Sequence, residues 1–139
     1  MENIKMNNMK EKQTNEKVIV VYQINEDNYE NYIGKTVKVA GNVNLSNLGL
    51  RKIPINFTTV GGGFYFHNNK LTSLKGAPEK VGGTFDCHNN KLTSLKGGPE
   101  KVGGAFDCSH NKLTSLEGCP KEIDGTFDYS YNKLASVEG

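Results

Sequence analysis

The chain lacks several sequence features that are typical of particular classes of protein, and each absence excludes a class. Its 139 residues contain no tryptophan, four prolines and three cysteines. The longest apolar run, residues 18–22, has the length of a strand and falls far short of the roughly 18 residues of a membrane-spanning helix. No apolar segment of the signal-peptide type follows the first methionine. We therefore expect a protein without a membrane partner.

Charge and cysteine usage exclude further classes of protein. The formal net charge is +2, whereas a dedicated nucleic-acid binder usually has a strongly basic face. Nucleic acid is therefore not the expected partner. The odd number of cysteines, without a Cys-x-x-Cys pairing, indicates reduced thiols that serve in packing, and hence a cytoplasmic location.

The sequence also lacks the common signatures of catalysis. It contains no Gly-x-x-x-x-Gly-Lys-Ser/Thr, no Gly-x-Ser-x-Gly and no His-Glu-x-x-His. We therefore predict that the protein is not an enzyme and needs no cofactor.

What the chain does contain is an internal repeat. The tetrapeptide Leu-Thr-Ser-Leu begins at Leu71, Leu92 and Leu113, and returns in altered form at Leu134, always at a step of 21 residues. Equivalent apolar residues then form columns, of which the first two are Val43, Phe64, Phe85, Phe106, Phe127 and, two residues later, Leu45, Phe66, Cys87, Cys108, Tyr129. Residues two apart on a strand face the same side, so both columns are expected to point into the core.

Asparagines and glycines recur at the same step. One asparagine column (Asn69, Asn90, Asn111, Asn132) is predicted to carry buried amides that satisfy the backbone of the turns. Gly-Gly pairs stand before three of the predicted strands, where we expect left-handed backbone dihedrals: Gly61-Gly62, Gly82-Gly83 and Gly103-Gly104.

From residue 60 onward, the wording Gly-Gly-x-Phe-Asp-Cys-x-Asn-Asn-Lys-Leu-Thr-Ser-Leu-x-Gly-x-Pro resembles short leucine-rich repeats of bacterial and bacteriophage proteins. A repeat of this length and composition is typical of a leucine-rich-repeat solenoid. The resemblance implies a parallel β-sheet on the concave face and mostly loops and turns on the convex face. It also implies a surface for binding rather than a catalytic pocket.

The chain divides into three predicted parts. Residues 1–16 are polar and predict a disordered tail. Residues 17–41 predict a small α/β cap, with short strands and a helical turn, that covers the apolar end of the first coil. Residues 42–139 predict about five coils, at 42–62, 63–83, 84–104, 105–125 and 126–139.

Outward-facing positions of the predicted strands form three polar columns. These are Asn44, Tyr65, Asp86, Asp107, Asp128; then Ser46, His67, His88, Ser109, Ser130; then Asn47, Asn68, Asn89, His110, Tyr131. From them we predict a partner-binding set of Tyr65, His67, Asp86, His88, Asp107, Ser109, Asp128, Ser130 and Tyr131. The aspartates are either a docking strip for Lys or Arg of a partner, or solvated residues copied with the repeat that discourage aggregation.

Two other features of this surface have alternative interpretations. His67 and His88 lie near Asp86, but neighbours in a ladder point in parallel, so no metal site is predicted. Four lysines (Lys70, Lys91, Lys112, Lys133) form a column that would suit nucleic-acid phosphates, although it runs beside the aspartates.

We therefore predict a non-catalytic module that binds another protein. The resemblance to phage repeats suggests an inhibitor of a host defence protein or nucleoprotein, of the anti-CRISPR kind, acting in the host cytoplasm. One alternative is a nucleic-acid-binding or nucleic-acid-mimicking module. Another is a structural unit that forms a homodimer or larger assembly through the C-terminal strand edge.

Overall fold

The computed structural model describes residues 17–135. Within this range the chain winds into a parallel β-solenoid of about five turns, and its only helix is a short 3-10 helix at Tyr29–Tyr32. The predicted tail and the last four residues, Val137 among them, lie outside the described residues. No helix in the described range combines the length and apolar character needed to cross a membrane.

Each coil contributes one strand to each of two parallel sheets. The Phe sheet consists of β3 (Val43–Asn44), β5 (Phe64–Tyr65), β7 (Phe85–Asp86), β9 (Phe106–Asp107) and β11 (Phe127–Asp128). The Val sheet consists of β1 (Val18–Val21), β2 (Thr36–Val39), β4 (Asn56–Val60), β6 (Lys80–Val81), β8 (Lys101–Val102) and β10 (Glu122–Ile123).

The predicted stacking of equivalent residues is confirmed. Phe85 pairs with Phe64 on one side and with Phe106 on the other, and Asp86 pairs with Asp107. The ring centroid of Phe85 lies 5.0 Å from that of Phe64 and 5.2 Å from that of Phe106. The inward columns are therefore continuous stacks that form the core, with Cys87 buried among them.

The Val sheet is a departure from the expected architecture. The sequence predicts mostly loops and turns away from the first sheet, but the Lys-Val and Glu-Ile pairs of successive coils hydrogen-bond as strands. A strand of two residues has no alternation of polar and apolar positions long enough to recognise. The inward side of this sheet is a column of apolar side chains at the same 21-residue step: Val39, Val60, Val81, Val102 and Ile123.

Residues 17–41 lie at one end of the stack, as predicted for a cap. Strand β1 pairs in parallel with β2, and β2 with β4, so this segment extends the Val sheet. Ile24 forms an isolated parallel bridge with Val43 next to the Phe sheet. The segment therefore continues the winding of the coils, and its role as a protective cap stays a prediction.

The expected left-handed dihedrals at the Gly-Gly pairs are wrong. Positive φ occurs instead at glycines of the Gly-x-Pro turns, such as Gly76 and Gly97. At Gly82 an added Cβ would lie 2.1 Å from the carbonyl oxygen of Gly61, and at Gly103 2.3 Å from that of Gly82. Glycine is needed here because the corners between the two sheets stack backbone on backbone, which leaves no room for a side chain.

The predicted role of the asparagine column is confirmed for its three buried members, Asn69, Asn90 and Asn111. Asn90 donates from Nδ2 to the carbonyls of Phe66 and Cys87, each at 3.0 Å, and its Oδ1 accepts the backbone N–H of Leu71 at 2.9 Å. Asn111 repeats this pattern one coil later. Each amide therefore joins two successive coils through buried hydrogen bonds.

Candidate binding face

The outward side chains of the Phe sheet and of the turn that follows it form one surface, which we call the strand face. It comprises the three polar columns that start at Asn44, Ser46 and Asn47, and it contains all nine predicted partner-binding residues. Eight of the nine are partly or fully exposed. Ser109 is the exception, because it is only 4% exposed and is therefore unsuited to direct contact.

The aspartate column has a structural role that the sequence analysis did not identify. Asp107 Oδ1 accepts the backbone N–H of Ser109 at 3.0 Å and its hydroxyl at 2.6 Å. Asp128 holds Ser130 in the same way, and in the first coil Asn44 does so for Ser46. The signal was the spacing Asp-x-Ser, since Asp and Asn characteristically accept from the backbone two residues on.

These turns leave one oxygen of each carboxylate outside the bond to the backbone. Hydrogen bonds from the side chain and backbone of Ser130 lower the pKa of Asp128 below its usual value. The turn needs only an acceptor at Oδ1, which the uncharged side chain of Asn44 supplies equally well. The negative charge of the aspartates is therefore not required by the turn. The strand face is therefore acidic along the column that contains Asp86, Asp107 and Asp128.

Two histidines lie beside these carboxylates. Nδ1 of His88 lies 2.5 Å from Asp86 Oδ1 and 3.7 Å from Asp107 Oδ2, and Nδ1 of His67 lies 3.4 Å from Asp86 Oδ2. The two imidazole rings stack with centroids 4.9 Å apart and planes within 5°. The rings are parallel, as expected for neighbours in a ladder, but their ligand atoms converge, because both rings direct Nδ1 at the same carboxylate.

The third column occupies an unusual backbone conformation. Its members have φ between 55° and 60°: Asn47, Asn68, Asn89, His110 and Tyr131. Asparagine tolerates this left-handed region better than most residues, whereas a bulky tyrosine there is an outlier. The rings of His110 and Tyr131 stack at 4.3 Å, and Tyr131 is 74% exposed. This aromatic pair is thus displayed to solvent from strained backbone.

The two buried cysteines do not form a reactive site. Cys87 and Cys108 are buried and unpaired, as expected for thiols that act as small apolar side chains. Burial raises the pKa of Cys87 well above its usual value and that of Cys108 to about 12, so neither is a thiolate at neutral pH. Cys119 is exposed.

No family model, no curated protein and no solved structure matches the chain. The resemblance to leucine-rich repeats and the suggested phage origin therefore stay predictions from the sequence.

Proposed function

We propose that this protein is a non-catalytic binding module whose strand face takes up a basic segment of another protein. The observation that carries the proposal is Tyr131, which is exposed and held at φ 55° where three other coils have asparagine. A left-handed conformation costs a residue with a Cβ about 1–2 kcal/mol, and stability alone favours Asn or Gly there. A strained, displayed aromatic residue is typical of a recognition site.

The chemistry beside Tyr131 suits a cationic ligand. Asp107 and Asp128 lie opposite each other on paired strands, and each precedes by three residues a member of the stacked pair His110 and Tyr131. An Arg or Lys side chain would interact favourably with both groups, because a cation pairs with carboxylates and packs on the faces of aromatic rings. The turn bonds hold the carboxylates in fixed positions, which reduces the entropy lost on binding. This arrangement favours the docking-strip interpretation of the aspartates.

The proposal is tested by NMR titration with an arginine-rich hexapeptide and, in parallel, a glutamate-rich one. We expect the arginine peptide to shift the amide signals of Asp128, Ser130 and Tyr131 first, and the glutamate peptide to have little effect. The double variant Asp107→Asn/Asp128→Asn keeps the Oδ1 acceptors of the turns and should weaken binding.

A matched control removes the same charge elsewhere. Glu79→Gln/Glu100→Gln changes two exposed carboxylates on the Val-sheet side, and it should bind the peptide as the wild type does. Equal weakening in both double variants would show that net charge, and not the strand face, governs binding. That outcome would refute the proposal.

The nucleic-acid alternative rests on the lysine column, whose four members are all exposed and at the same step. Phosphate binding by these lysines would weaken steeply with salt. Binding of RNA or DNA that is lost in Lys91→Ala/Lys112→Ala, and kept in Asp107→Asn/Asp128→Asn, would favour this alternative.

Two narrower predictions concern self-association and the identity of the partner. Self-association through β11 is checked by light scattering during size-exclusion chromatography, where a strict monomer contradicts it. A host defence protein as the partner is suggested only by the resemblance to phage repeats.

A further inference from the structure

We infer that His67, Asp86 and His88 form a binding site for a divalent transition-metal ion such as Zn²⁺. One ligand atom from each of the three residues lies within 4.8 Å of the other two. Imidazole nitrogen and carboxylate oxygen are ligands that zinc accepts in proteins. This site involves different residues from the aromatic pair at Tyr131 and does not depend on the proposed peptide binding.

The state of His67 is the independent observation that favours an ion. Its Nδ1 is inaccessible to solvent and makes no hydrogen bond with any described residue. Buried polar atoms in folded proteins nearly always have a partner. Asp86 Oδ2 lies 3.4 Å away, which is close to the separation of about 3.3 Å between ligand atoms placed about 2.0–2.1 Å from a tetrahedral zinc ion.

The backbone hydrogen bond of Asp86 uses Oδ1 and leaves Oδ2 available to a metal ion. Its Oδ1 accepts the backbone N–H of His88 at 3.0 Å and so fixes the side chain on the turn. Its Oδ2 is the oxygen that approaches His67. Asp107 Oδ2, at 3.7 Å from His88 Nδ1, can supply a fourth ligand or hold a bound water.

Binding requires a small rearrangement of the two rings. A metal lies near the plane of each imidazole that ligates it, whereas these rings are parallel to within 5°. The rings must therefore tilt toward each other, and His88 Nδ1 must leave its contact with Asp86 Oδ1. Both histidines are partly exposed, so their side chains have room to rotate.

The test is isothermal titration of the full chain with Zn²⁺ alone, and with Co²⁺ as a visible spectroscopic probe. We expect one equivalent of zinc and a cobalt spectrum typical of tetrahedral coordination. His67→Ala and His88→Ala should each weaken binding by more than about 100-fold, since even outer-shell partners account for about 10- to 100-fold.

Two control variants separate this site from adventitious binding. His110→Ala removes the one other histidine of the chain, and Cys119→Ser removes the exposed thiol, so both should bind as the wild type does. Shifts of the His67 and His88 ring nitrogens in the NMR spectrum of the wild type on zinc addition give a readout that needs no variant. Absence of these shifts, or full binding by His67→Ala, would overturn the inference.

Discussion

Replacing Asn90 by alanine tests how much the buried amides of the asparagine column contribute to the free energy of unfolding. The substitution leaves the buried backbone N–H of Leu71 without its acceptor. It also removes two bonds from Nδ2 to the carbonyls of Phe66 and Cys87. Those carbonyls keep a second donor, because Phe66 also accepts from Asn69 and Cys87 from Asn111.

The expected destabilisation follows from these contacts. An orphaned buried N–H costs about 1–3 kcal/mol, and each lost bond whose acceptor keeps another donor costs about 0.5–1 kcal/mol. The sum is about 3 kcal/mol, which is a large part of the roughly 5–15 kcal/mol that stabilises a typical domain. Asn132 makes equivalent bonds in the last coil but is only half-buried, so water can replace these bonds in Asn132→Ala. We therefore expect Asn132→Ala to lose about half as much free energy of unfolding as Asn90→Ala.

The measurement is urea denaturation of both variants beside the wild type, with the free energy of unfolding extrapolated to water. The midpoint should fall much further for Asn90→Ala than for Asn132→Ala, with similar slopes. A loss below about 1 kcal/mol for Asn90→Ala would refute the reasoning, because it would mean that the buried amide is dispensable.

Three further predictions concern the corners, the thiols and the turns. Gly82→Ala should destabilise the fold by several kcal/mol in the same assay. The loss should exceed that of Gly63→Ala, because the atoms nearest to its added Cβ belong to the movable ring of Tyr65. Equal losses in the two variants would contradict the stacked-backbone account. A disulfide reagent at neutral pH should modify one thiol, Cys119, in the folded protein and three after denaturation. Ser130→Ala should raise the pKa of Asp128 in NMR titrations, because its hydroxyl bond is the largest cause of the lowering. Since the folded-state pKa is lowered, this contribution to stability is present at neutral pH and is lost as the pH falls through that pKa.

Much of the fold was predictable because the repeat is regular. A step of 21 residues that carries Phe, Leu and Asn in fixed positions specifies which side chains become neighbours, and the pairing of Phe85 with Phe106 follows directly. The two-residue strands of the Val sheet, β6, β8 and β10, were not predictable, since two residues offer no periodicity. The corner glycines were misinterpreted because glycine serves both positive φ and close packing, and the sequence does not distinguish the two.

The outward position of the first two polar columns was predictable, but their chemistry was not. Alternation from the inward Phe column places the columns that start at Asn44 and Ser46 on the strand face. Burial of Ser109 and the turn bonds of Asp107 depend on the curvature after the strand, which the alternation does not encode. The approach of His67 and His88 to one carboxylate depends on side-chain rotamers, which no spacing in the sequence specifies.

The central claim is that successive coils stack in register, and scalar couplings across hydrogen bonds measure it most directly. Couplings are expected from the amide nitrogens of Phe64, Phe85 and Phe106 to the carbonyl carbons of Thr84, Ala105 and Thr126, where the N–O distances are 2.7, 2.9 and 2.8 Å. Couplings to residues at any other spacing, or none among these pairs, would contradict the stacking and with it the strand face.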